Sequence, residues 1–275
     1  MKPAPFAYHR PVSLAEALSL WEAAEGEAVW LAGGQSLIPA MAMRLNQPSA
    51  LIDLAAIPDL RGIEVAGGLV RIGAMTAYAD LLGDRDLCTA LPLMATALPH
   101  VAHPAIRNRG TIGGSLALSD PAAEMPAVVI ALDGVVTLCG PGGRRSVTAT
   151  DFACGLYETA LAPGEVIVQI DIPVQDAQTP WAFRQIARRK GDYALAGLAA
   201  RAGRDPRIVW FGLTSHARRD SAAEDALGAG LSAAEVVAAA LGGIEVMGDN
   251  VTGAPARTHL ARVLLARMLR DWGMA

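Results

Sequence analysis

The sequence predicts an α+β protein of two domains, and three observations carry that expectation. The 275 residues exceed one typical domain and set a prior of roughly two. Up to Pro173, segments of helical and strand period intermingle; beyond a polar linker at 175–180, three strand-like runs come together and helices follow them. Hydrophobic residues make up 52% and charged residues 18%, which is ample for a sizeable core.

The elements follow in order. Ser13-Leu14-Ala15-Glu16 is a capping-box pattern, and Leu14, Ala17, Leu18 and Trp21 recur at helical spacing, so a first helix is expected over 13–24. The apolar run 28–31 is a short strand closed by a glycine pair. Residues 35–45 read as a helix with Pro39 in its early turns, where proline is best tolerated. Residues 51–54 form another short strand, so the first fifty-odd residues read as a small α/β unit. From Ile63 to Pro173 the pattern changes: a strand at 69–72, helices at 78–82, 87–97 and 121–132, and strands at 135–138 and 145–147 flanking Gly140-Pro141-Gly142-Gly143, a hairpin signal. Residues 166–172 alternate and end at Pro173. Strands are expected at 182–187, 195–202 and 208–212, and helices from Ser221 on, including 232–241 and 256–272.

Composition excludes several classes. The mean hydropathy of +0.32 is high, yet the longest nearly apolar run, 125–132, is far short of the ~20 residues a spanning helix needs. A buried helix and surface buried against partner subunits account for it. The N-terminal residues lack the apolar core of a signal peptide. The three cysteines, Cys88, Cys139 and Cys154, are odd in number and show no Cys-x-x-Cys spacing; all three read as buried small apolar residues of a cytoplasmic protein. The net charge is −4, and the one dense basic cluster, Arg184, Arg188, Arg189 and Lys190, is too small for a nucleic-acid surface. The five histidines show no mutual spacing of a metal site.

The most informative stretch is Thr111-Ile112-Gly113-Gly114-Ser115, which echoes Ala32-Gly33-Gly34-Gln35-Ser36. Paired glycines permit positive φ and close approach, and consecutive exposed N–H groups form a concavity for an anion. Two such turns predict two loops closing on the two phosphates of one diphosphate ligand.

Their flanks resemble a family. Leu31-Ala32-Gly33-Gly34-Gln35-Ser36-Leu37 is similar to the first FAD-binding segment of the flavoprotein subunits of molybdenum hydroxylases, the medium subunits of carbon monoxide dehydrogenase-type enzymes and the middle domain of xanthine dehydrogenase. His103-Pro104-Ala105-Ile106-Arg107-Asn108-Arg109-Gly110-Thr111-Ile112-Gly113-Gly114-Ser115 resembles their second segment, Asp120-Pro121-Ala122-Ala123-Glu124 follows at the family's spacing, and Arg188-Arg189-Lys190-Gly191-Asp192-Tyr193-Ala194 resembles a third signature. The resemblance runs from Phe6 to Leu269. It implies a two-lobed FAD-binding domain of the vanillyl-alcohol oxidase (PCMH) type at 1–173, with lobes at about 1–55 and 56–173, followed at 174–275 by a three-stranded antiparallel sheet with a helical bundle.

The resemblance also implies roles. Gly33, Gly34, Gln35 and Ser36, flanked by Leu31, Ala32 and Leu37, cradle the FAD diphosphate; a plain strand-to-helix turn is the other reading of that segment. Thr111, Gly113, Gly114 and Ser115 form a second cradle nearer the flavin, or else a hairpin or bulge. Glu124 bonds a ribose hydroxyl, or is a surface acid in a helix first turn. Ile167 and Val101 pack on the cofactor or serve only the core. Arg184 approaches the flavin ring, where a cation would stabilise the reduced form, or is a solvated strand residue. Tyr193 lies over the flavin or is a core tyrosine. His103, Arg107 and Arg109 organise the second loop or a subunit contact.

The sequence departs from the family at 213–219, which lacks the usual glycine and proline, and at Ala256, which replaces a frequent tyrosine ahead of Arg257. It also lacks the cysteines by which some relatives hold an extra cluster.

The function implied is that of an FAD-binding subunit of a multisubunit molybdenum hydroxylase. A large molybdopterin subunit and a small [2Fe-2S] subunit are the expected partners, in a dimer of heterotrimers. Electrons leave through FAD to an external acceptor, with no catalytic acid or base and no metal in this chain. A stand-alone flavin oxidase or reductase, and a cofactor-free assembly subunit, are the alternatives.

Overall fold

A computed structural model describes residues 2–274. The chain builds a mixed α/β fold around three apolar cores. The first is the small α/β unit. Strands Ala7–His9 and Ala28–Leu31 flank Ala50–Asp53, all parallel, and helix Leu14–Ala23 lays Ala17 against Ala28, Ala50 and Ile52. Ser13 caps that helix by accepting from the Glu16 N–H, while Glu16 accepts from Val12 N–H at 2.8 Å, one residue before the usual capping-box partner.

The second unit is a five-stranded antiparallel sheet in the order Ile63–Ala66, Leu69–Gly73, Val166–Pro173, Val135–Gly140, Gly143–Thr148. The Gly140 signal holds: Gly140 pairs with Gly143 across a two-residue loop. Helix Glu124–Ala131, buried along its whole length, packs between this sheet and the next one. In Val166–Pro173 the register slips between Ile167 and Gln169. Val166 and Val168 enter the core of the first unit, whereas Ile167, Ile170 and Ile172 enter the helical core. A bulge of this kind re-aims side chains: strict alternation would set Ile167 on the face opposite Ile170 and Ile172, and here all three enter the same core.

The third sheet has four strands, where three were expected: Trp181–Ala187, Ala194–Arg201, Arg207–Phe211 and Arg218–Arg219. The fourth is two residues long and pairs Arg218 with Trp210 and Arg219 with Val209, too short to leave a periodic signal. Helices Ser221–Gly228, Ala233–Ala239 and Ala254–Asp271 cover one face of this sheet, and the other packs on Glu124–Ala131 through Phe183, Ala199, Val209 and Phe211.

Other expectations shift. Of the three cysteines expected to be buried only Cys139 is; Cys88 is half-buried and Cys154, in a short edge strand, is exposed. The helix expected over 87–97 is two helices, Arg85–Ala90 and Pro92–Ala97. The residue before a proline is pushed out of the helical region, and Leu91 sits at φ −129°, ψ 66°. The helix expected over 35–45 shortens to Leu37–Ala42, and that over 121–132 to Glu124–Ala131. Among the described residues no helix is long and apolar enough to cross a membrane.

Candidate functional site

A cleft of about 610 Å³ opens where the three units meet, within the ~300–1,000 Å³ range of ligand pockets. The first unit contributes the Ala28–Leu31 strand and the loop 32–37, the second the loops 101–106 and 110–124 with Ile167, and the C-terminal unit Gly191, Asp192 and Tyr193. Of the residues singled out in the sequence, Ala32, Gly33, Gly34, Gln35, Ser36, Leu37, Val101, Thr111, Gly113, Gly114, Ser115, Glu124, Ile167 and Tyr193 all line it. Two do not. Leu31 ends its strand outside the lining. Arg184 is turned away: its guanidinium lies 2.7 Å from Asp271 on the last helix and donates to the Phe183 carbonyl at 3.0 Å. The carboxylate on the last helix and the strand's alternation decide its direction.

The two glycine loops touch, but differently from a pair of like cradles. Only Gly34, at φ +71°, uses the positive-φ freedom of glycine. Gly33 is needed for room: a Cβ there would stand 2.1 Å from the Arg109 carbonyl oxygen. Gly114 faces back, its would-be Cβ 3.0 Å from the Ala32 methyl, and Gly113 presses on Ala74 at 2.6 Å. Each glycine pair thus makes space for backbone from another segment.

The donors divide the loops further. Among the described residues, the N–H groups of Gly33, Gly34, Gln35 and Ser36 donate to no acceptor. Four successive free donors in a segment that lines the cleft offer a nest for an oxyanion. The second segment is instead the first turn of helix Ile112–Leu118, and its donors are occupied: Ile112 to Thr76, Gly113 to Ala74, Gly114 to the Thr111 hydroxyl and Ser115 to Thr111. The expectation of a second backbone cradle is therefore corrected. This segment offers the Thr111 and Ser115 side chains, and its backbone buttresses the first loop.

Glu124 is 7% exposed at the start of its helix. Burial pushes its carboxyl up to about 7, with Asp120 adding in the same direction. Asp120 accepts from the Ala122 N–H at 2.9 Å and the Tyr157 hydroxyl at 3.4 Å. Val101 and Ile167, 8% and 5% exposed, give the cleft apolar wall and belong to the core as well. Tyr193 stands 69% exposed at the mouth, which corrects its reading as a core tyrosine. Arg107 organises its loop, donating to the carbonyls of Val101 at 2.8 Å and Ala102 at 3.0 Å. His103 packs against Gly191, where a Cβ would lie 2.6 Å from its ring. The lining also includes Tyr78, Trp30 and Asn46, which carry no motif and could not have been found by pattern.

These features fit an extended ligand with a diphosphate, hydroxyls and an apolar ring. Such a nest could supply N–H groups to phosphates, and Glu124, Ser36, Thr111 and Ser115 have side chains able to partner hydroxyls.

The comparisons with known proteins agree. Residues 4–175 match the family described as the FAD binding domain in molybdopterin dehydrogenase. The chain is 39% identical to the nicotine 6-hydroxylase medium subunit of Paenarthrobacter nicotinovorans over 276 residues, covering 97% of this chain and 96% of that one. It is 45% identical over 199 residues to the carbon monoxide dehydrogenase medium chain of Hydrogenophaga pseudoflava, covering 72% and 69%. A solved structure of carbon monoxide dehydrogenase from Hydrogenophaga pseudoflava superposes with a TM-score of 0.93 at 39% identity, covering 100% of both chains. With cleft, motifs and relatives in accord, the chain belongs to the FAD-binding medium-subunit family of the molybdenum hydroxylases, as an oxidoreductase subunit whose cofactor is FAD.

Proposed function

We propose that this chain passes electrons from the [2Fe-2S] clusters of a small partner subunit, through FAD held in the cleft, to an external acceptor. A large molybdopterin subunit carries out the hydroxylation, and the assembly is a cytoplasmic dimer of heterotrimers. Residues 1–173 are the cofactor domain, of the PCMH type with lobes at about 1–55 and 56–173, and 174–275 the C-terminal domain.

One observation carries this reading: residues 33–36, whose four N–H groups are free, line a cleft shared by all three units. Bound there, FAD supplies one- and two-electron exchange. The chain's own residues bind and orient. The nest holds the diphosphate, Glu124 accepts from a sugar hydroxyl, Val101 and Ile167 exclude water, and Tyr193 covers the mouth.

The test uses Gly114, whose added side chain would strike the Thr111 hydroxyl at 2.9 Å and the Ala32 methyl at 3.0 Å and so part the two loops. In the assembled enzyme, Gly114→Leu is expected to lose the flavin absorption band and electron output to the acceptor, while substrate still reduces the clusters. Unchanged electron output, or a parent chain that takes up no flavin on reconstitution, overturns the reading.

A further inference from the structure

Tyr78 is 3% exposed, and among the described residues its hydroxyl has no hydrogen-bond partner. A buried donor left without an acceptor is costly, so a fold that keeps one calls for an explanation. The ring cannot swing away to find solvent. Tyr78 opens helix Tyr78–Gly83, its N–H donates to the Gly110 carbonyl at 3.0 Å, and Ala77 bridges to Thr111. The ring itself lies against Gly110, where a Cβ would meet Cδ2 at 3.5 Å. Every one of these ties is to the second glycine segment, so the hydroxyl is fixed relative to the turn that carries Ser115.

Ser115 is half-buried and lines the cleft. Tyr78 lines the same cleft, and burial holds its phenol above the ordinary range, with the Ser115 hydroxyl acting the other way. A phenol keeps its proton at neutral pH, so Tyr78 is a donor there. The serine hydroxyl has one proton to give and two lone pairs to receive. When a neighbour donates to one lone pair, the serine proton is directed elsewhere. Glu124 also acts on the phenol, through its charge.

This step rests on the FAD reading above. We propose that Tyr78 is a positioning residue for the cofactor: its hydroxyl donates to Ser115 Oγ when FAD binds, so that the Ser115 proton points into the cleft at an oxygen of the cofactor. The phenol then gains the acceptor it lacks, and the second loop contributes a directed side-chain donor in place of its spent backbone donors.

The measurement is FAD affinity of the full chain stripped of flavin, read by quenching of flavin fluorescence, beside thermal melting of the same cofactor-free samples. Tyr78→Phe is expected to bind FAD roughly ten-fold more weakly. Ser115→Ala is expected to lose at least as much, and the double variant no more than Ser115→Ala alone. The cofactor-free Tyr78→Phe chain melts no lower than its parent, because it sheds an unsatisfied buried hydroxyl. Affinity within about two-fold of the parent, additive losses in the double variant, or a lower melting point without cofactor overturns the proposal. Additive losses would assign the phenol to Glu124 instead. A parent chain that binds no FAD would fail the earlier reading and is recognised separately, since it needs no variant.

Discussion

At the scale of single residues, Glu124 is the group whose ionisation the fold opposes. Burial holds its carboxyl at about 7, against 4.5 for the free side chain. The proton therefore favours the folded state: the contribution of Glu124 to the stability of the cofactor-free chain is fully present below about pH 4.5, falls as the pH rises, and above about pH 7 is a penalty of order 3 kcal/mol relative to its acid limit. Glu124→Gln removes the titration. Without cofactor, the variant should melt higher than its parent near pH 8, with the gap closing toward about pH 5. A gap of the same size at both ends of that range would contradict the assignment. The motif showed where Glu124 stands in the chain. Its burial, and hence its acidity, follows from the folded chain rather than from the motif.

At the scale of elements, local chemistry was legible wherever the stabilising partner is near in sequence. Ser232 and Glu235 form both halves of a capping box at the start of Ala233–Ala239. The Ser232 N–H donates to Glu235 Oε2 at 2.9 Å. Ser232→Ala should cost about 1 kcal/mol, read as a lower urea midpoint with an unchanged slope; an unaltered midpoint would show that tertiary packing alone holds that helix. Legibility failed where the partner is distant. Helix Ile112–Leu118 starts on two glycines, poor helix formers, and is held by the Thr111 cap together with donors to Thr76 and Ala74. The strand Arg218–Arg219 exists only because Arg207–Phe211 lies beside it. The loop at 213–219, where the sequence departs from its family, is pinned by the Thr214 hydroxyl on the His216 carbonyl at 2.5 Å and by Met247 N–H on Leu213 at 2.7 Å.

At the scale of the whole molecule, the C-terminal sheet is fastened to the cofactor domain by charge as well as by packing. Arg201 and Arg207 both pair with Asp133, just beyond helix Glu124–Ala131, and Arg201 also donates to the Ala131 carbonyl at 2.9 Å. Arg207 is 8% exposed and keeps Asp205 as a second partner, so Asp133→Ala should cost about 1–3 kcal/mol. Calorimetry should show the C-terminal unit melting ahead of the rest. One unshifted transition would mean that the apolar contacts of Phe183 and Phe211 suffice.

The sequence by itself determined the family, the order of the elements and most of their bounds, because glycine pairs, caps and apolar periods act between residues close along the chain. Fourteen of the sixteen residues it singled out line a cleft that the folded chain builds. Only the tertiary structure decided that Arg184 turns to Asp271 and that the second glycine pair begins a helix. It alone brought Tyr78 and Ser115 to one cleft and left the four donors at 33–36 free while those at 112–115 are spent. The physical reason is the same in each case: whether a donor, a charge or a hydroxyl is satisfied depends on groups that the chain brings together only when folded.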